Sequence, residues 1–248
     1  MDLNADLAEG TGPQGWAADA ALLDVVTSAN IACAGHAGDQ ETMRRACEAA
    51  LERGVRIGAH PGYEDRENFG RVELSLPVDK VVRQVSEQIA LLIDVAAGSG
   101  GAVTHVKPHG ALYHRASADA ELAAALSDQL ARVHPVVVVL GLDGSELLKA
   151  AAAAGLATAS EGFADRAYDS EGLLVSRSLP GSVLDAAGAV AQAISIAHDA
   201  TVTSIDGTEV KVVADSICIH GDTPGARALA KGLRAALAAS GVTVEAFV

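Results

Sequence analysis

Short apolar runs alternate with stretches of helical periodicity from one end of the chain to the other. Residues 2–6 alternate with period two, which puts Asn4 and Asp6 on one face of a first strand before Glu9-Gly10 and Gly12-Pro13 break it into a loop. Leu22, Leu23, Val25 and Val26 predict a helix over 17–28, and a buried strand over 29–33 follows. Asp39 is placed to cap a helix whose Met43, Ala46, Cys47 and Ala50 recur at helical spacing until Gly54 stops it. A strand over 55–59 runs into a polar segment, 61–77, longer than the usual βα connection and therefore expected to be a lid or binding element. Pro77 opens the clearest helix, with Val81, Val85, Ile89, Leu92 and Ala96 on one stripe.

The unit then repeats. An apolar run ends in His105-Val106-Lys107-Pro108-His109-Gly110, where Pro108 favours extended backbone and Gly110 permits a sharp turn. A helix over 118–133, a β-branched strand over 136–140, a helix over 145–154 and a strand over 156–160 come next. A charged segment, 162–169, is expected to fold over a pocket, ahead of a helix over 182–198. Asp206-Gly207 predicts a hairpin, 214–219 a strand, Thr223-Pro224 the start of a final helix, and 242–247 a last strand. Eight candidate strand runs separated by helices predict a single-domain α/β fold, a βα barrel of seven or eight strands. A doubly wound open sheet is the alternative, but no Gly-x-Gly-x-x-Gly follows the first strand.

Composition narrows what such a fold can serve. The 248 residues carry a formal net charge of −14 without a cluster of lysine and arginine, so nucleic acid and anionic membrane are not expected partners. Cys33, Cys47 and Cys218 are odd in number and sit in apolar or helical contexts, which fits buried, reduced thiols. The amino terminus lacks the basic region and apolar core of a signal peptide, and no apolar run approaches about 18 residues, so a cytoplasmic location is expected.

Candidate chemistry gathers at strand ends. His36, His60, His109 and His220 each follow an apolar run beside glycine or proline, and in a parallel barrel all such ends meet on one face. With Asp6 and Glu161 they form a set of acid–base candidates, each of which has a helix cap or a loop hydrogen bond as its structural alternative. Lys107 can polarise a carbonyl or join a buried ion pair, and Arg166 can clamp a carboxylate or pair with Asp165 or Asp169. His105, His114, His134 and His198 read as core or surface residues. Such groups also suit a divalent cation such as zinc or manganese, but no His-Glu-x-x-His or paired-cysteine motif is present and no metal is assigned.

Taken in order, Asp2-Leu3-Asn4-Ala5-Asp6, Asn30-Ile31-Ala32-Cys33 with His36-Ala37-Gly38-Asp39, Gly58-Ala59-His60-Pro61-Gly62-Tyr63, His105 through Tyr113, Phe163-Ala164-Asp165-Arg166 and Ile219-His220-Gly221-Asp222 resemble the LamB/YcsF family across essentially the whole chain. The resemblance implies an irregular seven-stranded βα barrel related to polysaccharide deacetylases. It further implies the A component of a 5-oxoprolinase, acting with subunits B and C to open 5-oxo-L-proline to L-glutamate at the expense of ATP. On that reading Asp6, His60, Lys107, His109 and Glu161 are the expected catalytic groups, and Asn4, His36, Arg166 and His220 the expected substrate contacts. ATP is a co-substrate without an assigned site, since the chain has no Walker motif. The alternatives are a stand-alone metal-dependent deacetylase or amidohydrolase, and a non-catalytic 5-oxoproline-binding subunit.

Overall fold

Seven parallel strands close into a barrel in the computed structural model, which describes residues 1–177, 179–219 and 225–248. In barrel order these are β1 (Asp2–Leu7), β2 (Ser28–Ala32), β3 (Arg56–His60), β4 (Val103–Val106), β5 (Val138–Leu142), β6 (Thr158–Phe163) and β9 (Ser216–Ile219), with β9 pairing back onto β1. The intervening β7 (Thr201–Thr203) and β8 (Glu209–Lys211) form a separate antiparallel hairpin around Asp206-Gly207, as the turn sequence predicts. Each chain crossover carries helix: α1 (Gly12–Leu23), α2 (Gln40–Glu52), α3 (Val78–Gly98), α4 (Gly110–Ala118), α5 (Ala120–Val133), α6 (Glu146–Ala153), α7 (Ala186–Asp199) and α8 (Ala226–Ala239).

Strand alternation divides the residues between two environments. Leu3, Ala5, Leu7, Ile31, Ile57, Val106, Ile217 and Ile219 are buried in one core with helix residues such as Met43, Ile89, Leu92, Leu126 and Leu233. The alternate set, which includes Asp2, Asn4, Ser28, Asn30, His105, Lys107, Glu161 and Ser216, is equally buried but polar. It lines the inside of the cylinder.

The structure corrects several expectations. Residues 242–247 add no strand, because β9 already pairs with both β1 and β6 and the cylinder has no open edge to extend. That segment instead ties to the start of β1, with Glu245 N–H donating to the Met1 carbonyl (3.1 Å) and the Phe247 ring meeting His105 edge-on. Helix α1 begins five residues early because Pro13 fits its first turn. Gly110 starts a helix directly, and Asp119 caps the next one, so one predicted helix is two. Glu161 lies inside β6, since that strand continues to Phe163. All three cysteines are free and buried. Among the described residues no helix is long and apolar enough to cross a membrane.

Candidate active site

The interior is a polar column, and its lower part satisfies itself. Asp2 accepts from the hydroxyls of Thr27, Ser28 and Ser216. Burial outweighs those bonds and pushes its carboxyl above the ordinary range. Asn4 donates to Ser216 Oγ (2.7 Å), Asn30 donates to Asn4 Oδ1 (2.7 Å), and His105 Nε2 donates to Asn30 Oδ1 (2.9 Å). Gly58 is required beneath that ring, because a Cβ there would overlap His105 Nε2. Burial holds the His105 imidazole neutral, down to about 3.

Above this column Lys107 forms the centre of a buried ion cluster. Its ammonium lies 2.7 Å from Glu161 Oε1 and 3.1 Å from Asp6 Oδ1, with Cys218 Sγ also at 3.1 Å. Burial alone would lower the lysine, but Asp6, Cys218 and Glu161 outweigh it and hold the group charged. Burial, reinforced by Glu161, holds the Tyr113 hydroxyl well above its usual range. Backbone pairing continues past the end of β4, with Lys107 N–H donating to Ala59 O and His109 N–H to Pro61 O, so Lys107 and His109 follow His105 on the inward side.

The second cluster sits at the C-terminal mouth. Glu9 Oε1 lies 2.9 Å from His36 Nε2, 3.2 Å from His109 Nδ1 and 3.9 Å from His60 Nε2. His60 Nε2 is also 3.0 Å from His109 Nδ1 and 3.3 Å from Asp6 Oδ2, so Asp6 bridges the two clusters. His36 stacks flat on His109, centroids 3.6 Å apart, and burial lowers its imidazole to about 4. His60 moves the other way: burial opposes its charge, but Asp6 raises it above the ordinary value. Glu9 is held below the usual carboxylate range because hydrogen bonds from His109 and His36 overcome the penalty of its burial.

Loops carry these groups and close glycine contacts make room for them. A Cβ at Gly62 would meet His36 Nδ1 at 2.6 Å, and one at Gly70 would meet His36 Cβ at 2.8 Å. Gln88 of α3 clamps the chain beside His60 by accepting from Gly62 N–H and donating to Gly62 O. Gln192 of α7 does the same for the segment after β6, donating to the carbonyls of Phe163 and Arg166.

A cavity of about 420 Å³ opens over this floor, lined there by Asp6, Glu9, His60, Lys107 and His109. Its wall carries Arg71 from the 61–77 segment and Arg166 and Arg177 from the segment after β6, which does fold over the pocket. Arg166 pairs with neither Asp165 nor Asp169 in its hydrogen bonds: its donors go to the carbonyls of Val175 (2.6 Å) and Ser182 (3.4 Å). Of the residues expected from the sequence, Asp6, His60, Lys107, His109 and Arg166 line the cavity. Asn4 and Glu161 lie below it, reaching it through Lys107, and His36 lies behind Glu9. His220 falls outside the described residues. Glu9 is the group that sequence reasoning passed over as a loop residue. The one signal for it was its position three residues beyond Asp6, next to a glycine that frees the backbone to turn.

Fold and clusters define a class: a parallel βα barrel with imidazoles, carboxylates and an ammonium gathered at the C-terminal ends of its strands. The chain belongs to the LamB/YcsF family, whose model matches residues 1–248. It is 51% identical over its full 248 residues to a Nocardia farcinica protein named as the A subunit of 5-oxoprolinase, covering 99% of that protein. The crystal structure of the lactam utilization protein from Thermus thermophilus matches with a TM-score of 0.92 at 38% identity, over 100% of this chain and 99% of that one. A peptidoglycan deacetylase from Bacillus subtilis shares the fold alone, with a TM-score of 0.51 at 12% identity over 99% of this chain and 87% of that one.

Proposed function

We propose that this chain is the A component of an ATP-dependent 5-oxoprolinase, opening the lactam of 5-oxo-L-proline to L-glutamate together with subunits B and C. The observation that carries the reading is the full-length, 51% identical relative of that name. The cavity supports it chemically, with arginines on the wall for a substrate carboxylate and a polar floor for the amide.

A five-membered lactam is an unactivated amide. Transfer of the ATP γ-phosphoryl group to its amide oxygen, with ADP leaving, turns that oxygen into a leaving group that departs as phosphate when water attacks the ring carbon and the C–N bond opens. Arg166, positioned by two backbone carbonyls, presents its guanidinium to the carboxylate of the substrate. Negative charge building on the amide oxygen is met by the Lys107 ammonium, with His60 and His109 beside it on the cavity floor. Asp6, which lines the cavity between the clusters, handles the proton of the attacking water. Glu161 is fully buried and positions Lys107 rather than touching substrate. The nucleotide is carried by barrel-rim loops or by another subunit.

The test is the purified chain, with and without the two partner proteins, given 5-oxoproline and ATP while glutamate and ADP are followed. Glutamate and ADP formed together in the complete mixture are expected. A complete complex that yields no glutamate overturns the reading, and turnover by the chain alone overturns the need for partners.

A further inference from the structure

The hydrogen-bond balance at the mouth closes only with an added positive charge, either an imidazolium proton or a metal ion. A carbonyl oxygen only accepts, so the His60 Nδ1 that meets Lys107 O at 2.8 Å carries a proton, as does the His109 Nε2 that meets Phe69 O at 2.9 Å. The two inner nitrogens, His60 Nε2 and His109 Nδ1, are therefore both lone pairs unless one ring takes up a second proton, and they face each other at 3.0 Å. Glu9 Oε1 joins them at 3.9 and 3.2 Å, adding a third acceptor to the same point. In the lower column Asp2, Asn4 and Asn30 each accept from a named donor; here acceptors converge on acceptors.

We infer that His60 Nε2, His109 Nδ1 and Glu9 Oε1 bind a divalent transition-metal ion of the zinc class. Three features fit. One atom from each of Glu9, His36, His60 and His109 lies within 4.8 Å of the others, and the spacings among the three ligand atoms bracket the edge of about 3.3 Å expected of a tetrahedron with bonds of about 2.0 Å. Both imidazoles donate their outer N–H to a backbone carbonyl, the second contact that fixes the tautomer of a metal-binding histidine. The three ligands line the cavity while His36 does not, so His36 orients Glu9 from behind and the remaining coordination position faces the cavity. Used there, the ion would polarise the amide carbonyl, a role that rests on the cyclic-amide reading above; binding itself does not.

Binding is read on the full chain, stripped with chelator and titrated with Zn²⁺ by calorimetry and with Co²⁺ by visible absorption. One ion per chain is expected, with the d–d bands of a four- or five-coordinate site and a metal-dependent rise in Tm. Glu9→Gln and His109→Gln should each weaken binding at least about tenfold. Should those variants fold poorly, anomalous diffraction at the zinc edge from soaked wild-type crystals should place the ion between the three atoms. Equal binding by wild type and variants, an anomalous peak elsewhere, or no uptake with an imidazolium proton found on His60 or His109 by nitrogen NMR would each overturn the inference. Glutamate assays fail or succeed independently of these readouts.

Discussion

His105 and His109 lie on the same side of one strand and its extension, and their nitrogens meet opposite surroundings. The lower imidazole has one nitrogen on Asn30 and the other beside the Thr104 hydroxyl, within a column whose donors and acceptors match. The upper one spends its outer nitrogen on a carbonyl and turns the inner one toward His60 and Glu9. Burial does not separate them, since both are inaccessible or nearly so. Residual demand does: a matched network specifies structure, whereas a set of lone pairs aimed at one point is prepared for something that arrives.

Lys107 stands at the boundary of the two regions and tests the comparison most severely. Replacing it in Lys107→Met leaves the fully buried Glu161 without its cation, for which a loss of about 3–5 kcal/mol of stability is expected, together with turnover. Adding Glu161→Gln should return part of the stability, read by denaturant unfolding, but none of the ring opening. Recovery of both would place Lys107 in the structural column only. One step up, His60→Gln should cut glutamate formation by the complete complex by on the order of 10²–10⁴-fold, with a far smaller change in unfolding midpoint. One step down, His105→Leu should reverse that pattern. It strips Asn30 Oδ1 of its donor at a cost of about 1–3 kcal/mol while leaving turnover near wild type. If His105→Leu abolishes turnover without loss of stability, the division between column and mouth is wrong.

The sequence made this division only half visible, for reasons that are physical. Strand-end groups such as Asp6, His60, Lys107 and His109 were legible because a closed parallel barrel sends every strand to one rim, and apolar runs with period-two alternation mark those strands. Lys107 and His109 share a face because Pro108 keeps the backbone extended between them. Glu9 was not legible, because Ala8 adopts a left-handed backbone (φ 59°) that re-aims the next side chain into the mouth, and no periodicity reports such a turn. The pairing of Asn30 with His105 was hidden for another reason: it joins residues 75 apart in the chain across the hollow of the barrel. The extra strand over 242–247 was a misreading of apolar alternation, which tells that a segment has a buried side but not whether a sheet edge remains to receive it.

The turn that aims Glu9 also sets the smallest predicted effect. Asp19 of α1 accepts from the Ala8 N–H at 3.0 Å, and burial, with a lesser push from Glu9, raises its carboxyl from 3.8 to about 7. A carboxyl raised on folding binds its proton more tightly in the native state, so the associated stability is complete below about pH 4 and is lost as pH climbs through about 7. Asp19→Asn keeps an oxygen for Ala8 and removes the charge. The variant should therefore match wild type near pH 4 and exceed it in Tm by pH 8, the gap opening between those values. A constant gap across that range would mean that Asp19 is ionised throughout. The left-handed turn would then rest on a charged acceptor, bringing this outer support of the mouth closer in kind to the buried ions around Lys107 than to the neutral column below.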